Sequence, residues 1–454
     1  MKSMKRTFSA ILILVVALVL IACKKPTEGT DGEIIDFSDR YSQKSVIRVW
    51  IDDENGEYMQ EIIEEFQKLN PGIIVEHQHK GSVDAREHLK TFGPSGHGAD
   101  VFQFPHDHLA QAILEDLVLP LPNDTANKIK ETSHELGVDI ATLSYNEDTG
   151  TFDPNDPNAT KRLYAVPMSL EAVGLYYNTD LVEEPAETYE EIIEKAKVWN
   201  AAPATGQEAS TNAQLGRYYL GTSSHWADSY FIQHIYSAFG WNPFGPNLDD
   251  ATAVGFEDEN LQDALTWMRD ELKPITTGTG AANSIGAGEN FENGLIPYIV
   301  AGPWNIEAYR GKGVNFKVAK LPSINGQVTA PYAGAMMAAV YKYSKNQAEA
   351  IKFVEFLSSE KAMEIQFRHK FKLPALKSEL LTNIPGVLED QAMVAMSEEL
   401  ENAKPMPTIP QVTYFWGPGE TMVNNVWSGT MTVLEAVKEA EQSYRVQSGM
   451  GSGE

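Results

Sequence analysis

Seven aromatic side chains carry the clearest chemical signal in this chain. Trp50, Phe104, Trp226, Tyr230, Trp241, Trp304 and Trp416 fall at the ends of strand-like runs or in the loops beyond them. In "YIVAGPWNIEA", residues 298–308, an apolar run from Ile296 to Ala301, broken only by Pro297, stops at Gly302-Pro303, and Trp304 comes next. In "MPTIPQVTYFW", Pro407 and Pro410, with Pro405 just before, stiffen the approach to Trp416. Strand termini and their loops are where α/β proteins place ligand contacts. Aromatic faces beside carboxylates and amides are the chemistry of sugar recognition. The C–H face of a pyranose lies on a ring, and its hydroxyls need paired donors and acceptors. For any single ring, core packing is the plainer reading; several at loop ends together favour a ligand.

Other constellations are weaker. His77, His79, His88, His97, His106 and His108 lie within 32 residues. "HQH" and "HDH" would each put two imidazoles on one face if extended, a geometry that can chelate zinc. No carboxylate completes a motif such as HExxH, so scattered polar histidines are the plainer reading and no metal is assigned. "GTGAAN", 278–283, does not complete GxGxxG, and "DPNDPN" lacks the EF-hand spacing and its closing Glu. There is no GxSxG. Cys23 is the only cysteine, so neither a cysteine nucleophile nor an internal disulfide is expected. With 63 Asp and Glu, a glycosidase-type carboxylate pair stays open. No cofactor is expected.

The chain is 454 residues long, room for two or three domains, and 43% hydrophobic. Its 36 Lys and Arg against 63 Asp and Glu give a net charge of −27. That balance disfavours nucleic acid and attraction to an anionic membrane surface. At the N-terminus Lys2, Lys5 and Arg6 precede the apolar run Phe8 to Ala22, too short for a confident span and suited to a secretory signal. It ends in "LIAC", which resembles the lipobox of bacterial lipoproteins, with Cys23 as the lipidated first residue; an ordinary signal with a stray cysteine is the alternative. Cleavage would leave 33 basic residues against 63 acidic, or −30. Residues 24–45 are polar and aperiodic, as a tether from membrane to folded body would be. The last residues, "SGMGSGE", read as a flexible tail.

Between these ends the pattern alternates. "SVIRVWI" (45–51), "IIVEH", "ADVFQF" (99–104) and "VGLYYN" (173–178) read as strands. Met59, Ile62, Ile63, Phe66 and Leu69 recur at helical spacing before Asn70-Pro71-Gly72 stops the run. A further helix is expected near Leu109–Leu114. Thr188 and Glu191 form a capping-box signature, and 259–272 and 345–358 read as amphipathic helices. The expectation is an α/β fold with a mainly parallel sheet and no internal repeat.

In order along the chain, "VWIDDENG", "VEHQHK", "GADVFQFPHDH", "YAVPMSLEAVGLYYNTDL", "AGPWNIEAY" and "MPTIPQVTYFW" make it resemble the maltose/maltodextrin-binding proteins of bacterial ABC importers, over roughly 46–447. The resemblance implies a two-lobed periplasmic-binding-protein-like fold, with a hinge and a ligand cleft between the lobes. It would divide the chain into a signal (1–22), a lipidated Cys23 with its tether (23–45), lobe 1 (46–168, returning at 335–381), lobe 2 (169–334, continuing at 382–447) and a tail (448–454). Sugar contacts carried over by position are Asp52, Glu54, Asn55, Lys80, Phe104, Asp107, His108, Glu171, Asp228, Tyr230, Trp304 and Trp416. Three depart from the usual pattern: Asn55 stands where Lys is common, Phe104 replaces a stacking Trp, and His108 replaces an Arg, losing a bidentate fork. The implied protein is a non-enzymatic, monomeric lipoprotein on the outer face of the cytoplasmic membrane, delivering maltodextrin to a permease powered by a separate ATPase. Another solute on the same fold, a surface glycosidase and a His-cluster metal lipoprotein are the rival readings.

Overall fold

The computed structural model describes residues 44–152, 156–277, 282 and 286–451. The expected signal, Cys23 and nearly all of the tether lie outside these residues. So do 153–155 of the turn-rich insertion, most of the glycine-rich 278–285 and the last three residues.

Ten strands frame the molecule: β1 (Ser45–Ile51), β2 (Ile73–His79), β3 (Val101–Pro105), β4 (Val166–Glu171), β5 (Gly174–Asn178), β6 (Leu220–Thr222), β7 (Tyr298–Ala301), β8 (Phe316–Ala319), β9 (Tyr332–Val340) and β10 (Leu373–Pro374). They form two sheets, one per lobe. The first runs β10-β4-β9-β3-β1-β2, with Lys404–Pro405 added on β9. The second runs β6-β7-β5-β8. In the first sheet β1 is parallel to β2 and β3, whereas β9 is antiparallel to β3 and β4. The chain passes between sheets at Glu171–Gly174 and returns between Ala319 and Tyr332. Strands β1, β3 and β4 therefore point the same way, and their C-terminal ends share one edge.

The second sheet is buried on both faces. Leu175, Tyr177, Tyr298 and Val300 enter one apolar core, with the helices of 189–275 and 416–447. Their neighbours Tyr176, Ile299 and Ala301 enter the other, which continues into the first sheet. The period-2 alternation of side chains along a strand produces this division.

Helix Glu57–Leu69 buries Tyr58, Met59, Ile62 and Phe66, while Leu69 at its end is 72% exposed. Thr188 caps helix Tyr189–Ala201 by accepting from Glu191 N, but the Glu191 carboxylate accepts from Glu187 N rather than Thr188 N, so only half of the expected box forms. A complete box opens helix Val433–Gln447, at Thr432 and Glu435. The run 259–272 begins as α-helix Glu259–Trp267 and widens to a π-turn at Met268–Leu272. Pro274 follows, and a proline has no N–H to donate to the preceding turn. Helices Leu109–Leu114 and Gln347–Leu357 fall within the expected segments.

Candidate functional site

The shared edge of the first sheet faces the second lobe across a cavity of about 620 Å³, within the range of small-molecule sites. Lobe 1 supplies Asp52 from the end of β1, the turn His106–His108 after β3, Glu171 from the end of β4, and Gly334 and Met336 from β9. Lobe 2 supplies Asp228, Ser229 and Tyr230 after β6, Trp304 after β7, and Trp416 at the head of helix Trp416–Ser428. A smaller cavity of about 250 Å³ adjoins it, sharing Asp52, Ser82, Trp304, Met336 and Lys372, and adding Glu54, Asn55 and Lys370 among others.

Trp304 stands in a short 3₁₀ turn, Pro303–Asn305, with its indole folded back over Gly302. A Cβ on Gly302 would lie 2.3 Å from two ring carbons of Trp304, so this close approach requires glycine. Trp304 is 38% exposed, unusual for so large an apolar group. Its ring centre is 6.2 Å from that of Tyr230, which is 6.2 Å from Tyr332, itself 6.4 Å from Trp416. Trp304, Tyr230 and Trp416 line the cavity from the second lobe, while Tyr332, at the start of β9, is buried and lines neither cavity.

The polar groups are held in place by the strands. Asp52 N donates to Gln103 Oε1 at 2.9 Å, and its carboxylate lies 3.5 Å from His79 Nδ1. Glu171 is nearly fully buried, and its Oε2 has no hydrogen-bond partner. Burial raises its carboxyl above the usual range; Lys372 opposes the rise and Asp107 adds to it. The Tyr230 hydroxyl is also buried without a partner, and burial holds it neutral, as a donor. His106 is buried with Nδ1 accepting from Ala335 N at 3.1 Å, so its proton sits on Nε2. Burial lowers its pKa and keeps the ring neutral, although Asp107 pulls the other way.

The twelve residues named from the sequence divide by place. Asp52, Asp107, His108, Glu171, Asp228, Tyr230, Trp304 and Trp416 line the larger cavity, and Glu54 and Asn55 line the smaller. Phe104 is a correction: it is fully buried in β3, stacked on Phe102 at 4.9 Å, and lines neither cavity. It has no free face to offer a ligand. Lys80 lies next to cavity-lining Gly81, but its ammonium sits 5.2 Å from the Trp50 ring centre, away from both cavities. Asp228 has a structural duty as well. Its Oδ1 accepts from Tyr230 N and Phe231 N, capping helix Ser229–Ala238, and its Oδ2 accepts from Ser224 Oγ at 2.6 Å. Trp50, Trp226 and Trp241 are core residues.

The histidines disperse. His77 donates to Ile51 O, His97 pairs with Ser95, and His88 packs on Phe92. "HDH" folds as a 3₁₀ turn rather than an extended pair. Among the described residues no group of three or more His, Cys, Asp or Glu is arranged to hold a metal ion. Residues that sequence reasoning missed include His106, Ser229, Lys372, and a second-lobe pair, His225 and Glu420, 3.8 Å apart. The "HDH" cluster did flag His106, but as a metal ligand; Lys372 had no local signal at all.

A family model described as bacterial extracellular solute-binding protein matches residues 52–364. The chain is 26% identical over 458 residues to a galactooligosaccharide-binding protein of Bacillus subtilis (strain 168), covering 98% of each chain. It is 23% identical to a maltooligosaccharide ABC transporter solute-binding lipoprotein of Streptococcus pneumoniae (strain ATCC BAA-255 / R6), covering 97% of this chain and 96% of the relative. The solved structure of MalX from Streptococcus pneumoniae with maltopentaose aligns with a TM-score of 0.74 at 20% identity, over 88% of this chain and all of that one.

Proposed function

Because the chain belongs to the bacterial extracellular solute-binding protein family, we propose that it captures a maltooligosaccharide in the cleft between its lobes and presents it to an ABC importer. The observation that carries this reading is the row of Trp304, Tyr230 and Trp416 facing the carboxylates Asp52, Asp107 and Glu171 across one cavity. Rings cover the apolar faces of the sugar, and carboxylates accept from its hydroxyls. Glu54 and Asn55 extend the polar set into the adjoining cavity. The relative that is a galactooligosaccharide-binding protein supports a second reading, a galactooligosaccharide in the same cleft.

The sugar touches both lobes only when they close on it. It therefore favours the closed form by its differential affinity, and closure about the crossovers exposes a surface that the permease reads. A separate ATPase supplies the energy. A lipid on Cys23 holds the monomeric protein at the outer face of the cytoplasmic membrane, and the role is capture rather than turnover.

The test is a titration of the detergent-solubilised full chain with maltotriose and with galactotriose, following tryptophan fluorescence, with released monosaccharide assayed in the same samples. Saturable change without product is expected. Accumulating product would replace capture by hydrolysis, and silence at millimolar concentrations of both sugars would remove the oligosaccharide reading.

A further inference from the structure

The cleft contains a cation that the sugar contacts above do not use. Lys372 lies between helix Glu360–Lys370 and β10, and it lines both cavities. Lys370, the other lysine of the smaller cavity, is engaged by Asp53 at 2.9 Å and Glu307 at 3.5 Å. Among the described residues, no carboxylate lies within ion-pair distance of Lys372.

The strand register gives its position. β10 pairs antiparallel with β4, Leu373 opposite Leu170 and Pro374 opposite Ser169. Continued one residue beyond the strand, that register sets Lys372 opposite Glu171, and both line the larger cavity. Directly opposed residues share a face, with Cβ atoms about 5 Å apart. The two side chains thus project together into the cleft without closing into a contact pair, and Glu171 Oε2 is left buried with nothing to accept from.

We propose that Lys372 is a ligand-binding residue, and that its ammonium and the Glu171 carboxylate act as one donor–acceptor pair for a hydroxyl, or two adjacent hydroxyls, of the bound sugar. The proposal rests on the sugar reading above and on Glu171's place in it. The chemistry is complementary: an ammonium only donates, an ionised carboxylate only accepts, and a sugar hydroxyl does both. A hydroxyl between them donates to Glu171 and accepts from Lys372, satisfying the orphan oxygen. Both bonds are charge-assisted, the stronger kind.

The pair also sets the pH range of binding. The groups that face the Glu171 carboxyl are Lys372 beside the end of β10, Asp107 on the turn after β3 and Tyr230 on helix Ser229–Ala238, with neutral His106 and Glu171 both beside Gly334. Of these only Lys372 favours the ionised form. Without it, burial and Asp107 act unopposed, and Glu171 takes up a proton at a higher pH.

The experiment is calorimetric titration of the full chain in detergent with maltotriose and galactotriose between pH 4.5 and 8, comparing wild type, Lys372→Met, Lys372→Arg, Glu171→Gln and the Glu171→Gln/Lys372→Met double variant. Expected is a loss of about tenfold or more in affinity for Lys372→Met. The acid limb of its binding profile should move to higher pH, its melting temperature should fall near pH 7 and not at pH 4.5, as a higher Glu171 pKa requires, and the limb should be absent from both Glu171→Gln variants. Lys372→Arg keeps the charge and should retain the wild-type limb. It also supplies the comparison if the methionine variant does not fold. Wild-type affinity and an unmoved limb in Lys372→Met overturn the role of Lys372 and leave the sugar reading intact. Failure of the wild type to bind either sugar overturns both.

Discussion

Trp304 shows how a single residue can offer a platform to a ligand. Its ring has room to fold back only because Gly302 has no side chain. Trp304→Ala removes a stacking face worth about 1–3 kcal/mol by analogy with base–aromatic stacking. The dissociation constant should rise about 5- to 150-fold, and an unchanged constant by titration would remove Trp304 from the site. Gly302→Ala should weaken binding too, by displacing the indole. Glu171 makes a second case. Its folded pKa lies above the unfolded value, so its contribution to stability is full at low pH and is lost as pH rises through the folded pKa. At neutral pH the buried charge therefore destabilises the ligand-free protein. Glu171→Gln should raise the melting temperature near pH 7, lose that advantage below about pH 4, and weaken sugar binding. A lower melting temperature at pH 7 would contradict this account. That cost in stability is the trade expected of Glu171 if it binds the ligand.

Among the elements, helix Gln391–Leu400 is tied to the return crossover by one buried carboxyl. Glu399 accepts from Leu321 N at 2.9 Å, just after β8. Burial pushes its pKa up to about 7, against the opposing pull of the Leu321 N–H and Lys320. The sign is that of Glu171: the stability it lends is full below about pH 4.3, the ordinary glutamate value, and is lost as pH rises through about 7. Glu399→Gln keeps an acceptor for Leu321 N and removes the titration. Melting temperatures measured from pH 5 to 8 should fall less steeply for the variant, whereas parallel curves would exclude Glu399 as the source. Helices such as Glu57–Leu69 were legible in the sequence because a 3.6-residue period and its stop signal are local. The half-formed box at Thr188 was less so, since Glu191 had two backbone donors within reach and only the folded turn selects between them.

Across the whole molecule, the lobes touch through charges as well as through the cleft. Lys370, on the last turn of a lobe 1 helix, reaches buried Asp53 and also Glu307 after β7 in lobe 2. Beside it, Arg310 lies over the Phe371 ring at 4.3 Å. If the lobes part at the cleft on opening, as the proposed hinge motion requires, Lys370 leaves Glu307 and the pair favours closure. Glu307 is partly exposed, which limits its worth to about 0.2–1 kcal/mol. Glu307→Gln should raise the dissociation constant about 1.4- to fivefold in dilute buffer and less at 1 M salt, where the Debye length is about 3 Å. No change at either ionic strength would show that the pair contributes nothing to closure.

Local stretches of sequence already specify the alternation of strands and helices, the breaks at Asn70-Pro71-Gly72 and Gly302-Pro303, and the order of motifs that marks the family. These are local properties, set by periodicity, caps and turn residues. The sequence also proposed strand ends as places for ligand contacts, and ten of the twelve named residues line the two cavities. Phe104 was out of reach because β3 is buried on both faces, so no alternation told its inward side chains from those at the cleft. Asp228 looked like a pure sugar ligand because a helix cap and a hydroxyl acceptor have the same chemistry. Only the tertiary structure set β9 between β3 and β4, brought β10 back beside β4, and put Lys372 opposite Glu171, about two hundred residues away in sequence. Strand register over such separations depends on which faces bury together, and no window of sequence contains both partners.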